Sequence, residues 1–446
     1  MTFPFYEQWR SIKKTSKRGE RLQLREQSWI LTKFPFNLEA NSRTFLHCKA
    51  KIFFKKIKQS IILKLKINCN FESVKRINTL LILSLFFIGC SPPKTKTTLP
   101  ELTQYALGFS IKTKQNYKLL SLKNTVPGSS RVFRYLILPK EAKIPPNQDY
   151  DQIIRTPVKR IVATSTTHLA FLEKLNATET LVGFPQTDYV SSEQIRKQID
   201  AGKVIDVGMS QQLNVERILG VKPDLLLSFG VEQIDNSLKR FNRMGIPSAF
   251  IGEWNEQNPL GRTEWIKVFG VLLGKEKEAL DIFKNIEKKY LEAKKSTFKK
   301  KHKPTVIAGS IYQDAWYLPG GKSYLAKLFE DANAHYLWEG NTQTGSLALS
   351  IESVLEKGKD ANFWFAPGQH TSYTILKEEH ALYSKFKATQ KKKIFTYART
   401  KGSKGGITYF ESGASNPDLV LKDIIHHLYP NLDSEYTPTY FLALDE

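Results

Sequence analysis

A chain of 446 residues with 41% hydrophobic content carries enough apolar sequence for two or three domains. Its formal charge of +24 is high, and 16 Lys and Arg against 5 Asp and Glu already fall in residues 1–73. Elsewhere the Lys residues lie along helix faces without Arg clusters interleaved with aromatics, so the excess reads as solvated surface and nucleic acid is excluded as a partner.

Residues 74–90 read VKRINTLLILSLFFIGC. A short basic start and an apolar run from Leu80 to Ile88 precede a small residue and Cys90, which is the layout of a secretory signal. The run is too short to span a membrane, which takes about 20 residues. Cys directly after a small residue resembles a bacterial lipobox, with Cys90 lipidated as the mature N-terminus, although Phe87 replaces the usual Leu or Val. Residues 74–89 are therefore expected to be a lipoprotein signal peptide. Residues 1–73 are expected to be a non-native or disordered extension, with translation starting at Val74. No Cys follows Cys90, so the folded part is expected to lack disulfides and thiolate metal sites.

Residues 90–104 form a polar tether. FSIKT, YKLLSL and RVFRYLIL then predict a hairpin or small meander opening a first lobe over 105–258. In that lobe the strands RIVATS, LVGFP, VIDVG, DLLLSFG and IPSAFIG alternate with the helical patterns THLAFLEKL, NVERILGV and IDNSLKRFNRMG. Residues 259–300 follow as the linker helix, whose second part carries Ala279, Ile282, Phe283, Ile286 and Tyr290 at helical spacing. A helix over Lys275 to Phe298 would span on the order of 36 Å. The alternation restarts over 301–446 with TVIAGSI, AWYLPGG, NFWFAP and KIFTYA, separated by KSYLAKLFEDAN, SIESVLEKG and ALYSKFKA and closed by PDLVLKDIIHHL. The expected class is α/β: two Rossmann-like lobes with mostly parallel sheets, joined by a long rigid helix.

Ligand crevices in such sheets lie beyond the carboxyl ends of the strands. The loops there nominate Thr166, Thr167, Tyr189, Phe229 and Trp254 from the first lobe, with His168, Gln186, Asp188 and Glu253 beside them. The second lobe offers Tyr312, Trp316, Tyr317, Arg399, Tyr409 and Glu411, with His370 and Tyr373. The set is rich in aromatic rings, which suits a large flat ligand, and Trp254 is the first choice. No H-x₃-H or Cys/His spacing supports a protein-held metal, and none is expected, nor any cofactor. Pro319-Gly320-Gly321-Lys322-Ser323 ends like a phosphate-binding loop, but the first required Gly falls on Trp316. G-x-S-x-G and H-E-x-x-H are absent, so no enzyme is expected, and an envelope hydrolase is the alternative.

RIVATSTTHLAFLEKLN, NVERILGVKPDLLLSFG, GRTEWIKVFGVLLGKE, SIESVLEKGKDANFWF and NPDLVLKDIIHHLYP, in this order from about Val158 to Pro430, resemble the class III periplasmic substrate-binding proteins of ABC importers, of the ferric siderophore, haem and cobalamin type. The resemblance implies a monomeric, membrane-anchored periplasmic lipoprotein that captures a metal chelate between its lobes and passes it to a permease dimer. It further implies that one glutamate per lobe docks on the permease; the matching positions are Glu216 and Glu352. The absence of an Arg triad from the loops tilts the expected cargo towards a neutral corrinoid.

Overall fold

The computed structural model describes residues 103–123, 125, 130–210, 212–229 and 234–446. The expected extension, signal peptide, Cys90 and the tether to residue 102 lie outside them. Among the described residues no helix is long and apolar enough to cross a membrane.

The first lobe is built on five parallel strands in the order Ser248–Ile251, Leu225–Phe229, Ile161–Ala163, Leu181–Phe184 and Ile205–Asp206. Numbered along the chain this is 5-4-1-2-3, the doubly wound order whose reversal beside the first strand opens a crevice. Nearly every position of the four longer strands is buried, as a parallel sheet covered on both faces requires. A second sheet precedes it. Phe109–Thr113, Lys118–Lys123 and Val132–Pro139 form the expected antiparallel meander, extended by Gln152–Thr156 in parallel. Its inner residues Phe109, Leu120, Phe133 and Tyr135 belong to the same core as the parallel sheet.

The second lobe has the order His335–Tyr336, Thr305–Ala308, Phe363–Phe365, Ile394–Thr396 and Leu442–Ala443, parallel except for the last strand. In chain order that is 2-1-3-4-5, so the two lobes share an alternation but not a strand order. TVIAGSI, read from sequence as one strand, is two. Gly309 sits between them at φ +86°, and a Cβ there would lie 1.9 Å from the Tyr317 carbonyl oxygen. Beyond it Ser310–Tyr312 leaves for a separate antiparallel sheet with Ala315–Pro319 and Ser346–Leu349. ALYSKFKA, read as a helix, is a 3₁₀ turn followed by the short helix Lys387–Gln390.

Residues 259–300 are three helices rather than one: Pro259–Glu264, Ile266–Leu273 and Glu276–Thr297. Gly274, in the left-handed conformation, ends the second. The third, 22 residues long, spans about 33 Å. It places Ala279 and Phe283 in the core of the first lobe and Tyr290 in that of the second.

Candidate functional site

A cavity of about 240 Å³ is lined by both lobes and by the first linker helix. The first lobe supplies the turn Thr164–Thr167 after its central strand, Phe184 to Gln186 after the next, Phe229 at the end of a third and Trp254 after a fourth. From the second lobe come Gln369, the stretch from Lys401 to Ile407, and the ring pair Tyr409 and Phe410. These loops follow strand carboxyl ends, on either side of the first sheet's reversal point.

Hydroxyls of the first turn lead into a buried acid–imidazole pair. Ser165 Oγ lies 2.7 Å from Thr167 Oγ1, which donates to Glu253 Oε1. Glu253 is fully buried, and His168 Nε2 stands 3.8 Å from its other oxygen. Burial alone would raise the pKa of Glu253. His168, Thr167 and the Arg262 guanidinium outweigh it and hold the carboxyl below its ordinary value, so it is ionised. The glutamate stands between the hydroxyl and the imidazole, whereas a histidine acting as base on that hydroxyl would have to touch it. Among the described residues no group of three or more His, Cys, Asp and Glu converges to hold a metal.

Of the residues nominated from sequence, Thr166, Thr167, Tyr189, Phe229, Trp254 and Tyr409 line the cavity together, as does Gln186. Five others do not. Trp316 is a correction: it is wholly buried in the second core, its indole N–H donating to the Ala308 carbonyl at 3.0 Å. Tyr317, its neighbour on the strand, points to the opposite face and pairs its ring with Tyr312 at 6.2 Å, outside the lining. Arg399 is engaged by Asp445 and the Ala443 carbonyl, both at 2.6 Å, in the C-terminal segment. Glu411 turns to the first lobe, where its two oxygens accept from the Ser191 and Ser192 N–H groups at 2.7 Å each. His370 bonds Glu379 and the Pro367 carbonyl, and Tyr373 accepts from the Ile394 N–H.

Sequence reasoning missed Arg262, Tyr324, Lys401 and Phe410. PLGRTE carries no apolar pattern that would have flagged Arg262; only in the structure is its helix buried throughout, and a buried Arg implies a partner. Its Nη2 donates to the Trp254 and Glu256 carbonyls at 2.8 and 3.2 Å, and its Cζ stands 3.9 Å over the Tyr324 ring. Burial pushes the Tyr324 hydroxyl up to about 12 against the pull of Arg262, so it stays a donor. With Arg262 and Lys401 on the wall, the ground for favouring a neutral corrinoid disappears.

Glu216 and Glu352 lie apart from the cavity lining. Both are exposed, and each is the second residue of its helix, Val215–Gly220 or Ile351–Gly358, behind a side-chain cap from Asn214 or Ser350.

Residues 161–400 match the family model described as periplasmic binding protein. The chain is 27% identical over 303 residues to an uncharacterized lipoprotein of Methanocaldococcus jannaschii, covering 66% of this chain and 70% of that one. Among solved structures it resembles a periplasmic binding protein from Veillonella parvula at a TM-score of 0.52, with 17% identity over 74% of this chain and 98% of that one. A petrobactin-binding protein from Bacillus subtilis gives 0.50, 17%, 71% and 99%. At these identities the two structures speak for a shared fold.

Proposed function

The chain belongs to the periplasmic binding protein family, and from that premise we propose that it is the lipid-anchored receptor of an importer, closing its two lobes on a metal chelate. It is a binding protein, not an enzyme. The observation that carries the cargo class is the cavity wall: Phe184, Phe229 and Trp254 from one lobe and Tyr409 and Phe410 from the other. Aromatic faces on both sides suit a broad organic ligand such as a porphyrin or a ferric siderophore. A relative named a lipoprotein supports anchorage through Cys90. Glu216 and Glu352, one exposed carboxylate per lobe, are proposed to meet the permease.

Tryptophan fluorescence tests the reading. Haemin, ferric siderophores or cobalamin should quench Trp254 saturably, and Trp254→Phe should remove the response. Silence towards all of them would end the proposal.

A further inference from the structure

Three residues of the cavity lining each carry a buried donor atom without an acceptor: the indole Nε1 of Trp254, the guanidinium Nε of Arg262 and the hydroxyl of Tyr324. They come from three parts of the molecule: the 3₁₀ turn Glu253–Asn255 of the first lobe, the first linker helix, and the helix Tyr324–Asp331 of the second lobe. Arg262 and Tyr324 retain 7% and 6% of their surface. A donor taken out of water without a partner loses hydrogen bonds and gains none, and native proteins rarely tolerate several in one place.

The guanidinium is held before any cargo arrives. Two backbone carbonyls take Nη2, and the Tyr324 ring lies under Cζ. Nε is left without an acceptor. Trp254 and Tyr324 both adjoin this one group, the first through its carbonyl and the second through its ring. Lys401 adds a second cation to the lining, which contains no carboxylate. Glu253, near enough for Arg262 to strengthen its acidity, accepts from Thr167 at Oε1, while its Oε2 faces His168 at 3.8 Å and takes no hydrogen bond. Fixed donors beside positive charge are the complement of an oxyanion.

Resting on the capture reading above, we infer that the cargo carries an ionised acid arm, a carboxylate or a phosphate, which enters beside Arg262 and accepts hydrogen bonds from Trp254, Arg262 and Tyr324. A neutral cargo would leave the three donors unpaired, which is how a polar site rejects an analogue. Because the donors belong to both lobes and the linker, the acid arm would also tie the lobes together.

Two sets of probes separate this inference from the reading beneath it. Citrate and inorganic phosphate, titrated to the order of 10 mM, report the acid subsite without any metal chelate. At least one should quench Trp254 saturably, and which of them binds tells carboxylate from phosphate. Arg262→Met and Tyr324→Phe should each weaken that response by roughly tenfold or more, the milder Tyr324→Phe serving if Arg262→Met fails to fold. Haemin and its dimethyl ester form the second set, and the free acid should bind roughly tenfold tighter than the ester or better. No response to either small oxyanion would overturn the acid subsite. So would equal affinity for haemin and its ester, although capture would then stand. Oxyanion binding with no response to haemin, ferric siderophores or cobalamin would leave the subsite standing and remove the chelate reading.

Discussion

Glu264 has no exposed surface, yet every face of its carboxylate is occupied. It accepts from the backbone N–H groups of Gln104, Tyr105 and Ala106 at 2.7 Å each and from Lys267 Nζ at 2.6 Å. Glu256 repeats the device one step along, taking the N–H groups of Leu107 and Gly108 and the Trp265 indole. Two buried acids thus clamp the length of chain that enters the fold. Glu264→Ala would take away the carboxylate that Lys267, itself 8% exposed, meets at 2.6 Å. Losing one partner of a buried pair costs about 3–5 kcal/mol, readable as a lower urea midpoint. Adding Lys267→Met should recover part of the loss, and strict additivity of the two changes would refute the coupling. Neither clamp was legible in the sequence, because Gln104 and Glu264 are 160 positions apart. Trp316 was misplaced for a more local reason. On the strand Ala315–Pro319 burial alternates, so Trp316 and Tyr317 could not both face the cavity, and a period-2 reading would have separated them. Arg399 met its partners Ala443 and Asp445 only through the last strand, which carries no strong pattern.

At the scale of elements, the stretch after Ile394–Thr396 acts as a strap across the lobes. A Cβ on Gly406 would lie 2.2 Å from the Tyr189 carbonyl oxygen, and one on Gly402 2.6 Å from the Ser191 Cα. Gly406→Ala should therefore lift the strap, costing about 1–3 kcal/mol and weakening cargo binding; an unchanged melting temperature and affinity would contradict that. Glu411 fastens the same strap to Ser191 and Ser192. Burial raises its pKa from 4.5 to about 7, against the pull of those two N–H groups and with Glu173 adding to it. A raised carboxyl favours the folded state below pH 4.5, and the contribution disappears as pH climbs through about 7. The stability advantage of the wild type over Glu411→Gln should shrink by on the order of 3 kcal/mol across that window, and a constant difference in denaturation free energy would show that Glu411 does not titrate there. The long helix of the linker was legible because Ala279, Phe283, Ile286 and Tyr290 share one face. The strap was not, since glycines needed for close approach look like any turn.

For the whole molecule, the alternation of strands and helices revealed two α/β lobes, while the strand orders stayed hidden because they depend on which way each crossover runs. One helix reaching into both cores limits how far the lobes can part, so a permease would read the loaded receptor from exposed surface rather than from a large domain swing. Glu216 and Glu352 suit that role, because each sits in the first turn of a capped helix, where the dipole favours a negative charge. Reversing either to Lys should cost folding under about 1 kcal/mol, because the dipole effect at an exposed terminus is small. Uptake through the importer should fall steeply and become less sensitive to salt, since charged rims govern encounter more than they hold a complex. Cargo affinity in the isolated protein should stay within about twofold, because neither residue lines the cavity. Weakened cargo binding with normal uptake at saturating cargo would assign both glutamates to the receptor's own closure and leave the permease to be met by another surface.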